Sequence, residues 1–232
     1  MQNNIINLYK YKLTGQYLGW DYTALPHLLI IGSSGSGKSY ASKILLARIS
    51  KYIPDAKAII CDFKADDFKY LEGERYYFSF EKCIDGLNCF YDAFEKRRSG
   101  QDESRTPRFL FFDEFASFSV FLEKKQSEEM KKKLAILMML SRSFNMHVII
   151  AVQRGDAEYF QKTRDNFSVV IALGNISKES MAMFGFEKEY MMPAISIGEG
   201  NALFNGVGQY PIFVPAISSM TVVHEEIRKL VQ

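Results

Sequence analysis

The chain has 232 residues, 47% of them hydrophobic, and a formal net charge of +2. This is enough for one large α/β domain with a sizeable core, and it excludes a disordered chain. The charge is too small to argue for or against nucleic acid, so any basic surface must be local.

Residues 1–26 read as a lead-in with a turn at Gly15 and a break at Leu25-Pro26, and residues 27–232 as a single domain. His27-Leu28-Leu29-Ile30-Ile31 reads as a buried strand, and Tyr40 to Tyr52 as a helix closed by Pro54. Lys57 to Asp62 is a second strand, and Cys89 to Arg98 a helix before a polar loop. Phe109-Leu110-Phe111-Phe112 is a short apolar strand ending in Asp113-Glu114. Glu128 to Phe144 is helical, with strands at His147–Val152 and Ser168–Leu173. Asn201–Phe204 and Pro211–Val214 are late strands, and His224–Val231 a closing helix. Near-continuous apolar strands between helices predict an α/β fold, a mostly parallel sheet with helices on both faces.

Gly32-Ser33-Ser34-Gly35-Ser36-Gly37-Lys38-Ser39 fills every fixed position of the phosphate-loop pattern G-x-x-x-x-G-K-[ST], between a predicted strand and a predicted helix. Glycines let backbone N–H groups wrap a polyphosphate, and a helix N-terminus adds partial positive charge. Lys38 is expected on the β- and γ-phosphates of ATP and the Ser39 hydroxyl on Mg²⁺. Asp113 is expected to order the metal shell, and Glu114 to orient or deprotonate the attacking water. Gln153 ends the strand His147–Val152, where it could sense the γ-phosphate or hold the water. Two readings stand open for Arg142: a partner of the preceding helix dipole, or an arginine finger reaching a neighbouring subunit's nucleotide. Arg154 raises the same question.

Several of these blocks resemble one family. Pro26 to Ser39, Asp62-Phe63-Lys64, Phe112 to Phe115 and Ser141 to Arg154 are similar, in order and spacing, to the motor of FtsK/SpoIIIE-type DNA translocases. That motor lies in the FtsK–HerA superfamily, which includes conjugation coupling proteins. Thr163 to Phe167 and Ile197 to Leu203 look like weaker blocks. The resemblance implies a RecA-like P-loop NTPase core, a homo-hexameric ring and ATP-driven movement of double-stranded DNA. It implies Lys38 and Ser39 on ATP–Mg²⁺, Asp113 and Glu114 in hydrolysis and Gln153 as sensor. It favours Arg142 as the trans-acting finger. Gly155 departs from the proline usual after Q-R. With neither a membrane-spanning region nor room for a winged-helix reader, a bare motor of a plasmid, integrative element or phage is expected, with a relaxase, portal or secretion channel as partner. Alternatives are a viral genome-packaging ATPase, a replication-associated helicase, a nucleotide kinase, or a nucleotide-gated scaffold with slow hydrolysis.

Three cysteines without a C-x-x-C pair, and three histidines, point away from disulfides or zinc and toward a reduced, cytoplasmic setting. No signal-peptide pattern is present and no apolar run approaches the ~18 residues needed to cross a bilayer, so a soluble chain is expected. Lys124-Lys125 and Lys131-Lys132-Lys133 read as a solvated helix face with Glu/Lys pairs ahead of a DNA-facing stripe. Phe115, Phe118 and Phe121 read as packing ahead of base stacking.

Overall fold

A computed structural model describes residues 4–153 and 160–232. Arg154 lies outside the described residues. The strands are β1 (Ile5–Tyr11), β2 (Tyr17–Asp21), β3 (Leu28–Gly32), β4 (Lys57–Asp62), β5 (Tyr77–Ser79), β6 (Arg108–Asp113), β7 (Met146–Val152), β8 (Val169–Leu173), β9 (Glu199–Phe204) and β10 (Gly208–Phe213). The helices are α1 (Lys38–Tyr52), α2 (Cys83–Arg98), α3 (Phe115–Phe121), α4 (Lys124–Leu140), α5 (Lys178–Phe184) and α6 (Met220–Leu230).

All ten strands join one sheet in the order β2-β1-β10-β9-β8-β3-β7-β6-β4-β5. From β8 to β5 every pairing is parallel. From β8 outward through β9, β10, β1 and β2 every pairing is antiparallel. The two halves reflect their connections. Parallel neighbours need a helical crossover, whereas β9 and β10 are joined by a tight Asn205-Gly206-Val207 turn.

The period-2 alternation of the central strands builds two cores. Leu28, Ile30, Phe109, Phe111, Ile149 and Ile171 face one side, with α1, α6 and Trp20. Leu29, Ile31, Leu110, Phe112, Val148, Ile150 and Val170 face the other, with α2, α3 and α4. Every residue of β3, β7 and β8 is buried. Strands covered on both faces read as unbroken apolar runs, which is why these were legible.

Other elements differ from expectation. The lead-in folds as β1 and β2, turning at Gly15, whose N–H donates to the Tyr11 carbonyl at 2.8 Å. Trp20 is fully buried and its indole donates to the Leu25 carbonyl at 2.7 Å. Helix α2 begins at Cys83, six residues before its predicted start. Gly86 lies where the helix meets the sheet, and a Cβ there would sit 2.5 Å from Cys61 Sγ. The predicted helix through Phe144 ends at Leu140 and continues as a 3-10 turn, Ser141–Phe144.

Two buried histidines lie where β3 and β7 begin. His27 Nδ1 accepts the Val148 N–H at 3.1 Å, and His147 Nδ1 lies 3.2 Å from the Pro26 carbonyl. Burial pulls His27 down to about 4 and His147 to about 3, the latter further lowered by its neighbour His27. Both folded values lie below the unfolded 6.5, so the unfolded state takes up protons first as pH falls. Their contribution is intact above about pH 6.5 and is lost toward pH 4–3, on the order of 2–3 kcal/mol per imidazole near pH 4.5. Asp113, raised by burial to about 6, opposes part of this. The melting temperature, followed by circular dichroism, should be flat above pH 7 and fall from pH 6.5 to 4. His27→Asn keeps an acceptor at the Val148 N–H and should flatten that slope.

Candidate functional site

Four strand ends converge on one edge of the sheet: Gly32 of β3, Asp62 of β4, Asp113 of β6 and Val152 of β7, which lies between β3 and β6. This is where open α/β sheets hold ligands. Helix α1 starts directly after the glycine-rich loop, with Gly37 as its N-cap in the left-handed conformation (φ 93). A Cβ on Gly37 would meet Gly198 N at 3.1 Å, so the position needs glycine for both backbone angle and space. The first turn of α1 carries no acidic residue and its cap makes no side-chain hydrogen bond, which leaves a helix N-terminus suited to an anion. Among the described residues the Ser36 hydroxyl, buried there, has no protein partner.

Asp113 and Glu114 are 2% and 1% exposed. The Glu114 N–H donates to the Ala151 carbonyl at 2.7 Å, and its backbone is left-handed (φ 60, ψ 43). A non-glycine residue in that region costs on the order of 1 kcal/mol and is characteristic of functional sites. The turn breaks β6 and brings both successive carboxylates to one ammonium. Lys38 Nζ lies 3.1 Å from Asp113 Oδ1 and 2.7 Å from Glu114 Oε1, and Lys64 Nζ lies 3.1 Å from the same Glu114 oxygen. Two cations thus meet two carboxylates. Burial lowers the Lys38 affinity for its proton, but Asp113 and Glu114 outweigh it and leave the ammonium held above its usual range. Burial raises Asp113 to about 6 despite Lys38. Among the described residues Asp113 Oδ2 is buried with no protein partner.

The loop after β4 is built around Asp62. Its carboxylate accepts the N–H groups of Ala65 at 3.1 Å and Phe68 at 3.0 Å, and the Tyr77 hydroxyl at 3.3 Å. Burial, its largest influence, leaves its pKa raised. The loop carries Lys64 to Glu114 and Asp67 to Ser39, whose hydroxyl donates to Asp67 Oδ2 at 2.6 Å. Lys43 Nζ is 3.8 Å from the other Asp67 oxygen. Asp67 was not singled out in the sequence. Its only signal was an acidic residue five positions after a strand-end aspartate, and the loop's reach depends on Asp62.

The C-terminal segment closes the other side. Gly198 N–H donates to the Ser36 carbonyl at 2.9 Å, and Val214 N–H to the Gly198 carbonyl at 2.8 Å. Lys12, the residue after β1, pairs with Glu199 at 2.8 Å. The weaker Ile197–Leu203 block is therefore a buttress for the phosphate loop.

Gln153 is exposed at the carboxyl end of β7, on the same edge as Asp113. Arg142 is exposed at the opposite edge, before β7 begins, with its Nε donating to the Thr23 carbonyl at 3.0 Å. The seven residues of β7 separate the two edges by about 20 Å. Arg142 therefore cannot reach the phosphate loop of its own chain. Lys131 pairs with Glu128 and Lys133 with Glu129, the solvated face expected of α4. Phe115 and Phe118 are fully buried, whereas Phe121 is 48% exposed and clusters with Phe63 and Phe80. Among the described residues no group of three His, Cys, Asp or Glu is poised for a metal, and no helix is long and apolar enough to cross a membrane.

Comparisons with known proteins agree with this geometry. Residues 12–146, more than half of the chain, match the family "Helicase HerA, central domain". The FtsK domain-containing protein YdcQ of Bacillus subtilis is 28% identical over 82% of this chain and 42% of its own length. The DNA translocase FtsK of Clostridium acetobutylicum is 24% identical over 91% of this chain and 30% of its own. The chain thus spans less than half the length of these relatives. Among solved structures, the pCW3 conjugation coupling protein TcpA with ATPγS superposes with a TM-score of 0.76 at 18% identity, over 100% of this chain and 71% of that one. The cytoplasmic domain of the Thermomonospora curvata type VII secretion ATPase EccC gives 0.73 at 20% identity, over 100% and 32%. These two share the fold: a mostly parallel α/β sheet of the P-loop ATPase kind. The chain belongs to the HerA helicase central-domain family and is an FtsK/HerA-type P-loop domain.

Proposed function

We propose that this chain is an ATPase motor that hydrolyses ATP with Mg²⁺ at the boundaries between copies of itself in a ring, and so moves double-stranded DNA. The observation that carries the reading is the buried junction of Lys38 with Asp113 and Glu114 beside the α1 N-terminus. The donors fit a hard divalent cation: the Ser39 hydroxyl and the unpartnered Asp113 Oδ2 are oxygens, the ligand type Mg²⁺ takes. When bound, Mg²⁺ neutralises charge on the β- and γ-phosphates.

Lys38 supplies the mobile charge. As a polyphosphate enters, its ammonium transfers from the two carboxylates to the phosphate oxygens. That frees Glu114, still held by Lys64, to accept a proton from the water that attacks the γ-phosphorus. Gln153 orients that water. The leaving β-phosphate oxygen stays on Lys38 and on the backbone N–H groups of the glycine-rich loop. Arg142 serves the neighbouring copy. Its exposure and its distance from the home site support a role in trans, where an arginine steadies charge on the transferring phosphoryl group. The related translocase and the conjugation coupling protein support duplex DNA as cargo, in a mobile element. A cytoplasmic setting goes with that reading.

ATP turnover by the isolated chain should rise on adding duplex DNA, and the stimulation should decline linearly on a log–log plot against salt. A confirmed ring with equal turnover with and without DNA would argue for a protein cargo or a scaffold. Lys38→Ala should lower turnover about 10²-fold or more, and Glu114→Gln should do the same while retaining ATP binding. Arg142→Ala should bind ATP normally yet turn over about 10³-fold slower or more. Mixing Arg142→Ala with Lys38→Ala chains should recover activity, since some boundaries then hold both intact halves. Absence of recovery would refute the shared site.

A further inference from the structure

We propose that Asp67 is a positioning residue for the metal–nucleotide complex, acting through the Ser39 hydroxyl. This rests on the ATPase reading above. Ser39 follows Lys38 at the start of α1, and its hydroxyl donates to Asp67 Oδ2 at 2.6 Å. A hydroxyl that donates its hydrogen bond to a carboxylate turns its lone pairs the other way and becomes a better metal ligand. Outer partners of this kind fix the orientation and raise the basicity of the atoms that touch a metal.

Asp113 does not perform this task here. Its Oδ1 is held by Lys38, and its Oδ2 is buried without a partner among the described residues, which is the second oxygen pointing to a cation at this site. Asp113 and Asp67 therefore divide the work. One is poised to meet the metal shell, and the other sets the hydroxyl that ligates it.

Asp67 is held for this purpose. The Asp62 carboxylate gathers the Ala65 and Phe68 N–H groups on either side of it, Phe68 is fully buried, and Lys43 lies 3.8 Å from Asp67 Oδ1. Lys43 sits one helical turn beyond Ser39 on α1, so one helix supplies both the hydroxyl and the cation that keeps Asp67 facing it.

The test reads metal binding without turnover. Mn²⁺ affinity is measured from the free-ion electron paramagnetic resonance signal at saturating ADP, and ADP affinity is measured separately in EDTA. Asp67→Asn, which is nearly isosteric, should weaken Mn²⁺ about 10-fold or more. ADP affinity in EDTA and the melting temperature should stay close to wild type. Asp67→Glu should recover part of the loss. In a Ser39→Ala background, Asp67→Asn should add less than about twofold, because the path through the hydroxyl is already cut. Wild-type Mn²⁺ affinity in Asp67→Asn would overturn the proposal. So would an equal loss of ADP affinity in EDTA, which would mark Asp67 as loop scaffolding alone. A wild-type chain that binds no ADP would overturn the ATPase reading itself, and this one with it.

Discussion

A buried ammonium cannot be left alone, and much of this molecule is arranged around that constraint. Lys38 is buried at the start of α1 and is neutralised by two carboxylates that arrive together at the end of β6. Removing one partner of such a cluster leaves an uncompensated buried charge, which costs on the order of 3–5 kcal/mol. The junction therefore ties the helix after β3 to the end of β6, across the intervening β7, and it penalises any other register of those strands. The same charges make the site responsive. In the proposed ATPase cycle, a polyphosphate offers Lys38 a competing set of oxygens, and Glu114 changes from an ion-pair partner into a base.

The surrounding structure keeps that junction dry and aimed. On one side, Asp62 spends its carboxylate on organising its own loop, which delivers Lys64 and Asp67 to the site. On the other, Gly198 binds the Ser36 carbonyl, and β9 runs so close to β8 that a Cβ on Gly200 would lie 2.0 Å from the Ala172 carbonyl oxygen. The antiparallel half of the sheet is thus the wall against which the phosphate loop is shaped. Lys12 and Glu199 extend that wall to β1. Strain at Glu114 is stored where β6 breaks, and the Ala151 carbonyl holds it in place.

The parts legible in the sequence share a physical reason: they are local. The apolar runs of β3, β4, β6 and β7 read directly because strands buried on both faces tolerate nothing else. The glycine-rich loop read directly because a Cβ at Gly37 is excluded by its own backbone angle and its neighbour. Asp113-Glu114 read directly because a polar pair after four consecutive apolar residues marks a strand's end. Helix α2 starts earlier than Cys89 because Gly86 lets its first turn pack closely against Cys61 of β4, a contact between elements far apart in sequence. β1 and β2 form a local hairpin, but what joins that hairpin to the sheet is the pairing of β1 with β10, which comes from the other end of the chain.

The amino-acid order by itself determined the phosphate loop, the acidic strand end, the α/β class and the family resemblance, since each is a short pattern whose chemistry acts within a few residues. Tertiary structure alone decided that Lys38 rests on Asp113 and Glu114, that Asp67 holds Ser39, and that Arg142 stands on the edge of the sheet away from its own nucleotide loop. Those relations join residues 28, 75 and 76 positions apart, or separate residues that share one strand's two ends. Only strand order and loop closure set such distances, and neither is written in any local pattern.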